Sequence, residues 1–355
     1  MWPTPVPSTG PSGWSALDRR GRILALLCIG VLGLAVVATS WLSLRGGQPS
    51  TPIYGGGSPA GASLWTWDGS TYTRLPIAGA GPSSNSADMA FDRARGVLVL
   101  WDHGCARLVM GFTGGCAEPV NETWTWGGRG WTARSTTSAP VEIGRGAMMY
   151  DSRLGEVVYV NSVGGAWSWS GSGWSALTMS GAPYVARPDS AAAAATFAAG
   201  YDEGRGVLVY VLSGSTWTWD GSSWTRLPGG IDVSEARSDA HLVYDRAHRQ
   251  LVYVGSHSTW TWDGTSWQRH DQPAIASGTA EYDPARNAVL LVQQDASACD
   301  RTACRMTTWS WDARAWTRLS TVHAPELPLT RSGAFAPPMA FDESRAVMVL
   351  FASAS

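Results

Sequence analysis

The sequence predicts an all-β fold, a six-bladed β-propeller of four-stranded antiparallel blades, closed by a composite blade from the two chain ends and preceded by one transmembrane helix. Three observations predict it. A W-x-W strand recurs at Trp65/Trp67, Trp124/Trp126, Trp167/Trp169, Trp217/Trp219, Trp260/Trp262 and Trp309/Trp311, at spacings of 43 to 59 residues, the period of a four-stranded propeller blade. An aromatic-Asp pair followed by a turn and an apolar strand interleaves with it, at Phe91-Asp92, Tyr150-Asp151, Tyr201-Asp202, Tyr244-Asp245, Tyr282-Asp283 and Phe341-Asp342. The first unit has only the W-x-W half and the last only the aromatic-Asp half, so the two ends complete one blade and remove an exposed edge.

The elements follow in chain order. Residues 1–22 form a short Pro-rich head. Ile23 to Leu44 is an uncharged apolar run of 22 residues, long enough to cross roughly 30 Å of hydrocarbon. Arg19, Arg20 and Arg22 precede it, so the positive-inside bias puts the head in the cytoplasm and the remainder outside. Cleavage as a signal peptide at "ATS", Ala38 to Ser40, is the competing reading and leaves a secreted protein. Residues 45–61 are a Gly/Pro/Ser linker, and the propeller occupies 62–355. Each repeat reads as strands a to d, exemplified by "AHLVYD", "QLVYV", "TWTW" and "SWTRL". Asp opens the a–b turns and Gly closes several of them, while "DG", "GG", "SG" or "DA" joins c to d.

Composition excludes some functions. A net charge of −2 with 15% charged residues gives no electrostatic reason to bind nucleic acid. No nucleophile elbow, phosphate loop or HExxH sequence appears, and no cofactor or metal is expected.

The aromatic turn followed by an apolar strand and then the W-x-W hairpin resembles the kelch-repeat propellers, including the central domain of galactose-oxidase-like proteins. The resemblance covers 62–355 and implies a binding scaffold more than an activity. The Gly-Gly pair usual after strand b is irregular here ("WDHG", "NSVGG", "LSG", "GSH", "QQD"), and no copper-radical residues map onto the chain.

Of 21 Trp, twelve lie in the W-x-W pairs and Trp131, Trp174, Trp224, Trp267 and Trp316 recur in strand d, with Tyr72 in the sixth copy. Residues two apart share a strand face, so these rings read as inter-blade core. A sialidase-type Asp-box fails because Asp220 and Gly221 are adjacent.

Function is therefore expected where the repeat breaks, in the b–c and d–a loops that share one face of the propeller. The long ones are Asp102 to Glu122, Thr178 to Thr196, Gln293 to Thr307 and Ser320 to Pro337. Cys105, Cys116, Cys299 and Cys304 all fall in the two b–c loops; disulfides within each loop are favoured over a four-Cys zinc site. Trp101, outside the repeat and beside Cys105, is a candidate for ligand contact. At the channel mouth Asp88, Arg145, Asp239, His241 and Glu281 replace small residues of other blades and are candidates for ligand binding or acid–base work. His103, His257, His270 and His323 read as ordinary loop residues. The functional expectation is a membrane-anchored, extracytoplasmic binder of a protein or envelope glycan; the alternative is a glycan- or polymer-acting enzyme at the channel mouth.

Overall fold

The computed structural model describes residues 63–77, 81–83, 86–109, 115–134, 138–140, 146–183, 196–232, 240–255, 258–271, 278–299, 303–328 and 337–352. The chain divides into two units, residues 1–57 and 58–355, and the described residues belong to the second. The head, the apolar run 23–44 and the linker lie outside the described residues, among which no helix is long and apolar enough to cross a membrane.

Six antiparallel sheets, each in the order a-b-c-d, form the propeller. Blade 1 comprises Ala87–Asp92, Val97–Asp102, Glu122–Trp126 and Trp131–Arg134; blade 2, Gly146–Asp151, Glu156–Asn161, Ala166–Trp169 and Trp174–Ala176. Blade 3 comprises Phe197–Asp202, Val207–Leu212, Ser215–Trp219 and Trp224–Gly230; blade 4, His241–Asp245, Gln250–Val254, Ser258–Trp262 and Trp267–Asp271. Blade 5 comprises Gly278–Asp283, Ala288–Cys299, Ala303–Trp311 and Trp316–Arg318. Blade 6 is composite: strands a and b are Met339–Asp342 and Val347–Ala352, while c and d are Ser63–Trp67 and Tyr72–Leu75. Trp65 lies opposite Leu350 and Trp67 opposite Met348, so hydrogen bonds between the two ends of the array close the ring.

The tryptophans pack the blades together. The second Trp of each W-x-W pair meets the strand d aromatic of its own blade with ring centroids 5.4 to 6.3 Å apart, as in Trp126/Trp131 and Trp262/Trp267. That face covers the apolar strands of the preceding blade, as when Trp124, Trp126 and Trp131 pack on Leu64, Val349 and Phe351. The strand d ring also donates across the junction: Trp174 Nε1 to Thr123 Oγ1 (2.8 Å), Trp267 Nε1 to Thr216 Oγ1 (2.7 Å) and Trp316 Nε1 to Thr259 Oγ1 (2.7 Å). Tyr72 and Thr308 share the equivalent bond through their hydroxyls, at 2.7 Å. The Thr immediately precedes a W-x-W pair in each case. Where Leu64 or Ala166 takes its place, the facing Trp131 and Trp224 Nε1 atoms have no hydrogen-bond partner among the described residues.

A second device fastens the a–b turns. The turn Asp is buried in every blade, at 0% exposure in all but Asp151. Its carboxylate accepts from a guanidinium: Arg95 to Asp92 (2.9 Å), Arg205 to Asp202 (2.7 Å), Arg286 to Asp283 (2.7 Å), Arg345 to Asp342 (2.6 Å) and Arg153 to Asp151 (3.4 Å). The same guanidinium lies against the c–d turn of the next blade, where Arg286 donates to the Asp68 carbonyl and Arg345 to that of Gly127. The residue after this turn's first position has positive φ in all six blades, near 100° at Gly69, Gly128, Gly171, Gly221 and Gly264. A Cβ at any of these five glycines would overlap the docked Arg. At the junction of blades 4 and 5 His248 takes the place of Arg, 2.8 Å from Asp245, and Ala313 (φ 71°) takes the place of Gly. The shorter side chain leaves room for the methyl group.

Two regions depart from the four-strand plan among the described residues. The expected loop after strand b of blade 1 folds as a hairpin, Cys105–Val109 with Gly115–Pro119. In blade 5 the expected loop from Gln293 to Thr307 is largely strand, because b and c extend through it, and Glu326–Pro328 pairs with Ala303–Arg305 along its outer side. Pairing satisfies backbone groups that a long irregular loop leaves to water. Cys299 and Cys304 are disulfide-bonded across this extension; the side chains of Cys105 and Cys116 lie outside the described ones.

Candidate functional site

The a strands of all six blades line a cavity of about 410 Å³ along the propeller axis. Counting from the turn Asp fixes each residue's depth. Four positions before it stand Asp88 in blade 1 and His241 in blade 4; two before it stands Glu281 in blade 5; one after it stand Arg93, Glu203, Arg246 and Glu343. At about 3.3 Å per residue, these levels span roughly 16 Å of the axis.

The upper level lies toward the b–c and d–a loops. Asp88 Oδ2 sits 2.9 Å from His103 Nε2, and the imidazole packs on the Trp101 ring at 4.2 Å between centroids. His103 is thus an aligned partner of a carboxylate, which its reading as an ordinary loop residue did not anticipate. His241 Nε2 donates to the Gly278 carbonyl of the neighbouring blade at 2.8 Å. His270, by contrast, is no loop residue: it lies on strand d of blade 4, 2.9 Å from Thr261 Oγ1 and against Trp311, and burial holds its pKa down.

Below this level Glu281 borders the cavity. Its Oε1 accepts from the Tyr282 N–H at 2.9 Å. Burial pushes its carboxyl pKa up from the ordinary 4.5 to about 7. The Tyr282 N–H and the Arg93 charge work against that rise, and Glu203 and Glu343 add to it.

At the a–b end the four remaining residues form a closed cycle of alternating charge. Arg93 bonds Glu203 (2.6 Å) and Glu343 (2.9 Å); Arg246 bonds Glu203 (3.2 Å) and Glu343 (2.8 Å). The Arg residues come from blades 1 and 4 and the Glu residues from blades 3 and 6, so the cycle has a pseudo-twofold axis along the channel. Each guanidinium also lies over the tyrosine of the next blade, Arg93 on Tyr150 (5.3 Å) and Arg246 on Tyr282 (5.7 Å). The sequence reading placed nothing at this end. The signal is legible in the residue after each turn Asp, which runs Arg, Ser, Glu, Arg, Pro, Glu around the ring.

Of the candidates read from sequence, Asp88, His241 and Glu281 line the cavity together, while Arg145 and Asp239 lie outside the described residues. Trp101 is corrected to a core residue. It is 0% exposed, its Nε1 donates to Asn121 Oδ1 at 2.8 Å, and it packs on Tyr159. Aligned on the turn Asp it occupies the strand b position of Val160, Val211, Val254, Val292 and Phe351, all buried. Lying outside the tryptophan repeat did not place it on the surface.

No family model matches the chain, and no curated protein matches it. Solved structures resemble it in fold. The structure of a putative TolB from Agrobacterium tumefaciens matches with a TM-score of 0.50 and 12% identity, over 82% of this chain and 98% of that one. The structure of YjhT gives 0.47 and 13%, over 70% and 87%. A six-bladed fungal lectin from Aleuria aurantia gives 0.41 and 12%, over 71% and 87%. The class defined by the fold is the all-β, six-bladed propeller.

Proposed function

We propose that this chain is a membrane-anchored, extracytoplasmic binding propeller of kelch type, which recognises a protein or an envelope glycan through its b–c and d–a loops. One observation carries the reading. The blade 1 hairpin and the disulfide-bridged extension of blade 5 are both b–c insertions and so stand at the same end, while the opposite end repeats one turn geometry six times. Insertions gathered at one end of a rigid scaffold are the usual basis of recognition. The anchor and its orientation rest on the apolar run from Ile23 to Leu44 and the arginines before it.

The test is capture of partners from native envelope by the full-length protein in detergent, compared with a variant whose residues 105–119 are replaced by a two-residue turn. The variant is expected to keep its melting temperature within a few degrees and to lose at least one partner. An unchanged set of partners overturns the reading. The second reading, a glycan-acting enzyme, is favoured by Glu281 bordering the same cavity as the Asp88–His103 pair. It predicts turnover of an envelope glycan that Glu281→Gln abolishes.

A further inference from the structure

We propose that the Arg93–Glu203–Arg246–Glu343 cycle is a latch across the a–b end of the axial cavity, opened when a negative charge develops on the Glu281 carboxyl beneath it. The inference concerns the opposite end of the propeller from the proposed recognition face and does not depend on it. With Glu281 neutral, two guanidiniums and two carboxylates balance, and each guanidinium bridges both carboxylates. Ionised Glu281 leaves three carboxylates against two cations in a partly buried cluster, where uncompensated charge is costly.

The two arginines are not equivalent in this respect. Among the charges acting on Glu281, Arg93 is the cation, while Glu203 and Glu343 repel it. Arg93 therefore turns toward a new carboxylate and leaves the cycle, whereas Arg246 stays between its two glutamates. The other groups facing Glu281 do not supply the missing charge. From its own strand comes the Tyr282 N–H, already donating; from blade 4 come Tyr244, its pKa raised chiefly by burial, and His241, committed to the Gly278 carbonyl. From blade 1 comes Asp88, paired with His103 at the far level of the cavity. Burial of Glu281 places this change near neutral pH. Departure of Arg93 also uncovers the Tyr150 ring on which it lies.

Hydrogen exchange of the full-length protein in detergent tests the latch, read at the turn 92–96 and corrected for the intrinsic pH dependence of exchange. From about pH 5.5 to about pH 8.5 exchange is expected to rise roughly tenfold at this turn, with no step at the c–d turn 220–223. Glu281→Gln should hold the turn at its low-pH rate throughout. Glu203→Gln leaves two carboxylates against two cations when Glu281 ionises, so no charge is uncompensated and the step should be lost; this variant decides the matter if Glu281→Gln does not fold. A step that survives in Glu281→Gln or in Glu203→Gln, a step shared by the c–d turn, or no step at all in the wild type overturns the proposal.

Discussion

The two ends of the propeller differ in what their residues are held by. At the a–b end each turn repeats a buried Asp, a guanidinium or imidazole bound to it, and a left-handed residue that closes the turn. At the b–c end the described residues include a short hairpin in blade 1 and a long disulfide-bridged extension in blade 5. The first end is set by a motif that each blade carries for itself and docks on its neighbour; the second is set blade by blade. Sequence regularity therefore marks where the scaffold is fastened. It does not mark where chemistry is missing, since the ion cycle stands among the regular turns.

The sharpest way to break the fastened end is to remove a turn carboxylate. Asp283→Ala strips Arg286 and two backbone N–H groups of their buried acceptor and is expected to cost about 3 to 5 kcal/mol in chemical denaturation. Asp220→Ala, at an exposed c–d turn where water can replace the lost bonds, should cost far less. Equal losses would show that burial does not separate the two kinds of turn.

The docking of Arg on the next blade is tested at the glycines. Gly264→Ala places a methyl group in the space of Arg205 at φ 100° and should cost about 2 kcal/mol or more. Ala313→Gly, at the junction that uses His248, should change stability by less than about 1 kcal/mol. His248→Arg combined with Ala313→Gly should be more stable than the two single effects predict, by about 1 kcal/mol in a double-mutant cycle. A zero coupling means the Arg and Gly positions do not act together.

Glu281 is a strained point on the axis. Its folded-state pKa is raised, so folding bears no penalty below about pH 4.5, where both states hold the proton. The penalty grows as pH rises through the window from about 4.5 to about 7, where the unfolded chain ionises and the folded one does not, and is constant above it. Glu281→Gln should accordingly match the wild type near pH 4 and exceed it by about 2 kcal/mol at pH 8, discounted because the carboxyl borders a cavity. Melting temperatures across this range check the sign.

One substitution is expected to give a small gain. Ala166→Thr supplies the acceptor that Trp224 Nε1 lacks, as Thr123 does for Trp174, and should stabilise by about 1 kcal/mol. No gain would mean that the hydroxyl at this junction is turned away from the indole.

Much of the scaffold was legible because it is periodic. The W-x-W pair counted the blades, the turn Asp fixed each register, and the half-repeats at the two ends located the composite blade. Cys299 and Cys304 announced their own pairing by proximity in one loop. Trp101 misled because the tryptophan repeat carries no information about strand b; aligned on Asp92 it falls on a buried position of that strand. His103 misled for the opposite reason, since nothing near it in sequence shows that Asp88, on the adjoining strand, will meet its imidazole.

What the sequence determined by itself was thus the number of blades, the strand order within each and which aromatics face a neighbouring blade, because these follow from local alternation and turn chemistry repeated at a fixed interval. What only the tertiary structure decided was which residues from different blades meet on the axis. Arg93 and Glu343 are 250 positions apart in the chain yet 2.9 Å apart in the fold, because closing the ring converts equal depth in separate repeats into contact. The same closure encloses Glu281 and raises its pKa, a property that no stretch of the chain around Glu281 carries on its own.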